Sequence, residues 1–161
     1  MTLQATTQKA RMSSLALPQG DDHPEAARKH LTDSSILLNA GRADGAAYLS
    51  GYVAECSLKS LWLYETGVPP AGTPLPWGRR GHDLSHLHSQ ATALAAVAGA
   101  RTARYVGNTL RTMAGSSLFT WNSEHRYHAP GMTLRDATAW HNTATQAYQE
   151  SVGQMYLDGV L

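Results

Sequence analysis

Apolar positions recur along this chain at the spacing of helices, and no stretch shows the strict alternation expected of a strand. A first helix is predicted to start at the cap residue Asp22 and to end near NAGRADG. Its apolar stripe consists of Ala27, Leu31, Ser34 and Leu38. A second helix is predicted over residues 44–66, where Gly67 and the sequence VPP stop it.

Further helices are predicted after the proline-rich loop VPPAGTPLPWGRRG. The third starts near His82 or Asp83 and ends near Gly99, the fourth covers about 101–114, and the last covers about 133–157. The fourth carries the apolar stripe Ala103, Val106, Leu110 and Met113. The last carries Leu134, Ala137, His141, Ala144, Tyr148, Val152 and Met155. Helices with short connections predict an all-α fold, an up-and-down helical bundle of about five helices.

The composition is that of one ordinary globular domain, since 161 residues suffice for a single core. Residues 1–20 are polar and aperiodic, so we expect a flexible N-terminal arm before a helical domain at 21–161. No apolar run is long enough to span a bilayer, and no signal peptide is recognisable. The single Cys56 excludes an internal disulfide framework. These features predict a cytoplasmic protein that does not bind a membrane.

The net charge is only +1, but the charges are unevenly distributed. No Asp or Glu occurs from Leu84 through Ser123. The same stretch contains a run of cationic and imidazole groups, namely His86, His88, Arg101, Arg104 and Arg111. The three arginines recur at helical spacing opposite the apolar stripe of the fourth helix. Two interpretations stay open: a phosphate-binding stripe or an ordinary solvated face.

A polar seam interrupts the otherwise apolar second helix, within the sequence AAYLSGYVAECSLKSLW. Helical geometry places Tyr48, Tyr52, Glu55 and Lys59 on one face. At the surface, an i,i+4 ion pair contributes only about 0.3–0.5 kcal/mol. Because two tyrosines are in line with the pair, we predict that Glu55 and Lys59 are at least partly buried and bonded outside their helix. The seam then bonds to a neighbouring helix, lines a cleft or forms a dimer interface.

The sequence YLSGYVAECSLKSL resembles the second-helix signature of HEPN domains, which reads Gly-Tyr and then Glu-x-x-Leu-Lys. Two further landmarks of that family follow in order. They are GHDLSHL at 81–87 and the pair Arg126-Tyr127 within WNSEHRYHAP. The resemblance covers roughly residues 26–156. It implies a bundle of about five helices, often dimeric, with a link to nucleotides or RNA.

The resemblance also implies several kinds of activity. Some HEPN domains are metal-independent endoribonucleases of toxin–antitoxin or defence systems, others pair with a minimal nucleotidyltransferase, and others only bind nucleotide. Our main hypothesis is a homodimer that binds nucleotide or RNA, with a minimal nucleotidyltransferase as a candidate partner protein. An endoribonuclease and a non-catalytic dimerisation or interaction module are the alternatives.

The nuclease branch of the family carries Arg and His with four to six residues between them. The His acts as general base or acid at the ribose 2′-OH or the leaving oxygen, and the Arg stabilises the phosphorane. Arg135 and His141 are the best catalytic candidates, although Arg79 and Arg80 ahead of His86 also match. Arg135 and His141 project about 120° apart on an ideal helix. His141 also lies on an apolar stripe, where a histidine of the core or of an interface is commoner.

The loop before the last helix contains two more candidates. Arg126 is a candidate phosphate ligand and Tyr127 a candidate stacking group for a base; alternatively, Glu124 and Arg126 brace the loop. We assign His82 and Asp83 to the polar seam, where Asp83 most simply caps the third helix and His82 packs or bonds locally.

Neither a metal site nor a cofactor site is expected. The i,i+4 pair His82 and His86 has no clear third ligand nearby. The chain also contains neither a Walker-type Gly-Lys loop nor a dinucleotide-binding fingerprint.

Overall fold

The computed structural model describes residues 12–161, and residues 1–11 of the predicted arm lie outside the described residues. The α-helices are α1 (His23–Asn39), α2 (Ala43–Thr66), α3 (Leu84–Ala95), α4 (Asn108–Thr112), α5 (Leu134–Tyr148) and α6 (Gln154–Leu157). A π-helical turn at Gln149–Gly153 joins α5 to α6. The 3-10 turns are Gly78–Arg80, Arg101–Tyr105, Met113–Gly115, Ser117–Thr120 and Ser123–Tyr127.

The predicted all-α bundle is confirmed, because residues 12–161 contain helices and no strand. With α5 and α6 counted as one continuous helix, the described chain has five helices. Helix α2 is the centre of the bundle, and α1, α3 and α5 pack around it. Every residue of α2 from Val53 to Leu63 is buried, so the polar side chains of the seam lie inside the fold. No helix in the described part of the chain is long and apolar enough to cross a membrane.

The predicted starts of α1 and α3 are confirmed by side-chain caps. Asp22 accepts a hydrogen bond from the backbone N–H of Glu25 at 3.2 Å, and Asp83 accepts one from His86 at 2.9 Å. Gly67 ends α2 with a φ of 87°, a conformation that favours glycine. Helix α3 ends at Ala95, earlier than the Gly99 expected from the sequence.

The described part of the predicted arm packs against the bundle. Leu15 and Leu17 belong to the core, with 6% and 2% of their surface exposed. The backbone N–H and the hydroxyl of Ser13 bind the carboxylate of Asp22 at 2.7 and 2.8 Å. The domain therefore extends N-terminally beyond the boundary expected at residue 21, because two apolar side chains anchor an otherwise polar segment.

The prediction of a continuous helix at 101–114 is wrong. One 3-10 turn, Arg101–Tyr105, precedes α4, and another, Met113–Gly115, follows it. The helical conformation is interrupted at Val106 and Gly107. The carboxylate of Glu150 accepts hydrogen bonds from the backbone N–H of Thr109 at 2.9 Å and from its hydroxyl at 2.8 Å, and thereby caps α4. A Cβ on Gly107 would lie 2.4 Å from that carboxylate, so any larger residue there would displace the side chain of Glu150 that caps α4. The buried residues of the segment are Thr102, Tyr105, Val106, Leu110 and Met113, whereas Ala103 is exposed.

Candidate functional site

The polar seam of α2 is buried in the bundle. Glu55 and Lys59 are only 2% and 5% exposed, and Lys59 Nζ donates to Glu55 Oε1 at 2.7 Å. The other carboxylate oxygen, Oε2, lies 2.9 Å from Nδ1 of His82 in the loop before α3. Lys59 contacts that loop through the ring of Trp77, whose centroid is 5.0 Å from Nζ. The predicted burial of Glu55 and Lys59 is confirmed, and Glu55 has its bond outside α2. The hydrogen bond of Lys59 stays within α2, and its contact outside the helix is the ring of Trp77. The ion pair of the seam therefore faces its own bundle.

The loop sequence GHDL closes over this ion pair. A Cβ on Gly81 would lie 2.8 Å from Trp77 Cδ1, so glycine allows the indole to cover Lys59. Of the residues that follow, His82 binds Glu55, Asp83 caps α3 and Leu84 enters the core. The assignment of His82 to the seam is therefore confirmed, and Asp83 has the helix-capping role.

The two phenols of the seam stand beside this charge network. The hydroxyls of Tyr48 and Tyr52 are 3.0 Å apart, and the ring of Tyr52 lies 6.1 Å from that of His82. Trp121 packs on Tyr52 at 4.9 Å between ring centroids and donates its indole N–H to the carbonyl of Tyr48 at 3.0 Å. Burial, and next the hydrogen bond with Tyr48, raises the pKa of Tyr52, so this phenol stays protonated at neutral pH. The seam thus holds the loop that begins at Trp121 onto α2.

A cleft of about 540 Å³ opens where this loop passes the start of α2. We call it the aromatic cleft, and its chemically distinctive lining residues are Asp44, Tyr48, His125, Arg126, His128 and Trp140. Its volume falls within the range of about 300–1,000 Å³ that is typical of small-molecule sites. The cleft therefore has room for a ligand of nucleotide size.

The charged side chains that line the aromatic cleft are one carboxylate, Asp44, and one guanidinium, Arg126. Asp44 accepts hydrogen bonds from the backbone N–H groups of Gly131 and Met132, both at 3.0 Å, and these bonds lower the pKa of its carboxyl. Its charge is therefore directed at the loop backbone. Arg126 lies 4.7 Å from the ring of Tyr127, a side chain that is 71% exposed. An arginine beside an exposed aromatic ring can bind a phosphate and stack a base.

Two histidines flank Arg126 in the same loop. The rings of His125 and His128 are 5.0 Å apart, and His125 also lies 6.0 Å from the ring of Trp140. Burial, and next the neighbouring His128, lowers the pKa of His125, so its ring is mostly neutral at pH 7. No ion pair joins Glu124 to Arg126 within residues 12–161, and the alternative that these two residues brace the loop stays open.

The three arginines expected to form a cationic stripe have separate structural contacts, because their segment is not one helix. Arg101 donates to two backbone carbonyls at the end of α2. Arg104 pairs with the carboxylate of Asp158 at 2.9 Å. Arg111 donates to the carbonyl of Val106 at 3.0 Å. These contacts do not favour a common phosphate-binding surface.

The expected catalytic pair, Arg135 and His141, is not assembled. Nδ1 of His141 lies 3.0 Å from the hydroxyl of Ser34, and Nε2 lies 3.2 Å from the hydroxyl of Ser35. Both ring nitrogens are thus bonded to α1, and burial lowers the pKa of this histidine. Arg135 is exposed near the start of α5, and within the described chain no hydrogen bond or ion pair joins it to His141. The geometry favours a structural role for His141, which links α5 to α1.

Sequence reasoning identified Arg126 and Tyr127 but missed the neighbours that complete the cleft, His125, His128 and Trp140. A usable signal was present, since the sequence HRYH places two imidazoles on either side of an Arg-Tyr pair in a loop. Trp140 gave no such signal, because a tryptophan in an amphipathic helix is indistinguishable from an ordinary core residue.

Comparison with known proteins adds no assignment to this geometry. No protein-family model, no curated protein and no solved structure matches the chain. The resemblance to HEPN domains therefore stays a prediction, and the function must be argued from the site.

Proposed function

We propose that this protein binds nucleotide or single-stranded RNA in the aromatic cleft, as a HEPN-like module. The observation that carries the proposal is the placement of a guanidinium, two imidazoles and several aromatic rings in one cleft. Cationic groups interleaved with aromatic rings are the features with which proteins bind single strands, because every base has a face that stacks.

The roles follow from position. Arg126, whose pKa is raised by the hydroxyls of Tyr127 and Tyr48, stays charged and binds a phosphate oxygen. Tyr127 is exposed beside Arg126, next to the residues that line the cleft, and offers its ring to a base. Tyr48 and Trp140 form apolar walls, and the carboxylate of Asp44 is held by the loop backbone, away from the phosphate.

The biological setting is proposed from the sequence resemblance alone. It comprises a cytoplasmic homodimer of a toxin–antitoxin, defence or nucleotidyltransferase-partner system. Light scattering of the purified protein tests the dimer. A nucleotidyltransferase gene beside the gene of this chain would support the partner, and copurification of the two proteins would test it directly.

Fluorescence anisotropy with labelled oligouridylate and oligoadenylate at several salt concentrations tests the binding site. We expect Tyr127→Ala to weaken binding roughly tenfold or more, since a stacked base contributes about 1–3 kcal/mol. Arg126→Ala should make the plot of log affinity against log salt less steep, by the amount that corresponds to the loss of about one phosphate contact. Arg28→Ala is the matched control, because this exposed arginine lies on α1 and, within residues 12–161, its side chain pairs with Glu25 alone.

Wild-type protein that binds neither oligonucleotide at low salt would contradict the proposal and favour the interaction module. Equal losses in the Arg126 and Arg28 variants would show that binding follows net charge and not the cleft. Within the described chain, the contacts of Arg135 and His141 do not favour a nuclease.

A further inference from the structure

A second cleft, of about 400 Å³, has Trp121 in its lining. We call it the arginine cleft; the lining residues that matter here are Arg79, Arg80, His82, Asp83, Trp121 and Asn122. Its carboxylate is already bonded, since Asp83 accepts from Arg80 at 2.7 and 3.1 Å and caps α3. Arg79 has no hydrogen-bond or ion-pair partner among residues 12–161. The uncompensated charge in this cleft is therefore positive.

His82 is held in this cleft by the buried charge pair. Its Nδ1 lies 2.9 Å from Glu55 Oε2, while the side chain as a whole is 57% exposed. Because an ionised carboxylate only accepts hydrogen bonds, Nδ1 carries a proton and donates it. Nε2 is then the ring atom left for a ligand. In the neutral ring it accepts a hydrogen bond from a protonated phosphate oxygen, and in the imidazolium it donates an N–H to an oxyanion. Lys59 binds the other oxygen of Glu55, which keeps the carboxylate in place.

An arginine and a fixed imidazole that line the same cleft are suited to a tetrahedral oxyanion. Arginine presents paired N–H donors whose spacing matches two oxygens of a phosphate, and charge-assisted bonds of this kind are the strong ones. Asn122 adds a side-chain amide at the edge of the cleft. We propose that the arginine cleft is a phosphate-binding subsite in which Arg79 and His82 hold the anion.

The two clefts are close enough for one ligand. Tyr48 lines the aromatic cleft, and its ring lies 5.1 Å from that of Tyr52, which in turn lies 6.1 Å from His82 in the arginine cleft. A short single strand spans such a distance, with successive phosphates tracking a cationic groove. The link to a bound strand rests on the proposed function, whereas phosphate binding by Arg79 and His82 does not.

Titration with inorganic phosphate tests the subsite by itself. In protein with labelled histidines, we expect the ring resonances of His82 to move with phosphate and those of His141 to stay. Arg79→Gln should weaken the apparent affinity about tenfold, the loss expected for one charge-assisted bond. Arg28→Gln should leave it unchanged. An unmoved His82 signal, or equal titrations for wild type and Arg79→Gln, would overturn the inference.

Competition binding then identifies the source of the phosphate. A terminal phosphate is indicated if uridine 5′-monophosphate binds much better than uridine and Arg79→Gln removes the difference. An internal phosphodiester is indicated if UpU shows that dependence and a 5′-phosphate adds nothing. If Arg79→Gln leaves oligonucleotide binding unchanged, the inference that one strand occupies both clefts is wrong, and the proposal for the aromatic cleft is unaffected. Phosphate binding without nucleotide binding would support the subsite and contradict the proposed function.

Discussion

Replacement of Gly51 by alanine provides a sensitive test of how the candidate site is built. Alanine in a helix interior is normally favoured over glycine by about 1 kcal/mol. At this position of α2, however, the added Cβ would lie 2.2 Å from Cγ, Cδ1 and Nε1 of the Trp121 ring. Contacting carbon atoms normally lie about 3.5–4.0 Å apart, so the indole must move by more than 1 Å.

The cost of that movement follows from the surroundings of Trp121. The ring is 3% exposed, packs against Tyr52 at 4.9 Å and donates to the carbonyl of Tyr48 at 3.0 Å. Overpacking a core costs about 1–3 kcal/mol, and loss of the hydrogen bond adds about 1 kcal/mol. After subtraction of the gain in helix propensity, we expect Gly51→Ala to lower the free energy of unfolding by about 1–3 kcal/mol.

Urea denaturation followed by circular dichroism measures this change, with Gly45→Ala as the matched control in the same helix. A Cβ on Gly45 would meet only the end of the Leu37 side chain, at 3.1 Å, and that side chain is not fully buried. The control should therefore be neutral or stabilising by up to about 1 kcal/mol. A Gly51→Ala protein as stable as wild type, or a control more damaged than Gly51→Ala, would refute the argument. Because Trp121 anchors the loop of the aromatic cleft, weaker oligonucleotide binding should accompany the loss.

Three further predictions concern buried polar groups. Lys59→Met leaves Glu55 without its buried cation and should lower the free energy of unfolding by about 3 kcal/mol. The double variant E55L/K59M should recover most of that loss, and urea denaturation of both variants tests this prediction. Burial, and next the charge of Lys59, lowers the pKa of His23 from 6.5 to about 4. Between these two pKa values the unfolded chain binds more protons than the folded protein does, so the free energy of unfolding should fall as the pH drops through that window. Denaturation at several pH values measures this profile, and His23→Phe should flatten it. His141→Ala should cost about 1 kcal/mol, because the hydrogen bonds from α5 to Ser34 and Ser35 are lost while Ser34 keeps the carbonyl of Ala46 and the hydroxyl of Ser50; urea denaturation measures it. Mixed RNA incubated in EDTA should show no cleavage that depends on His141, and cleavage by wild type alone would restore the nuclease hypothesis.

Much of the architecture could be predicted because helical periodicity and caps are local. Asp22, Asp83 and Gly67 bound their helices as expected, since each acts on backbone groups within a few residues. The break at Gly107 could not be predicted, because it depends on Glu150, a residue far along the chain. The apolar stripe of that segment was real, but a stripe does not show whether its residues form one helix.

The candidate site shows the same division. The burial of Glu55 and Lys59 was predictable, because an ion pair in line with two tyrosines on an otherwise apolar helix is unusual for a solvated face. The choice of His82 as partner of Glu55 was not, since the two residues meet only when the loop folds back onto α2. The pair Arg135 and His141 had the right spacing for a nuclease, but the hydroxyls of α1 bind the ring of His141.

The sequence by itself determined the long helices α1, α2 and α5, the starts of α1 and α3 and the polar seam of α2, because these depend on spacings within one element. Only the tertiary structure decided what the seam does. It showed that Gly51 makes room for Trp121, that Gly81 makes room for Trp77, and that the GHDL loop closes over the ion pair. It also separated the arginines of the expected stripe and brought His125, Arg126 and His128 beside Tyr48. Such contacts join residues that are distant in the chain, and no local pattern records which of them meet.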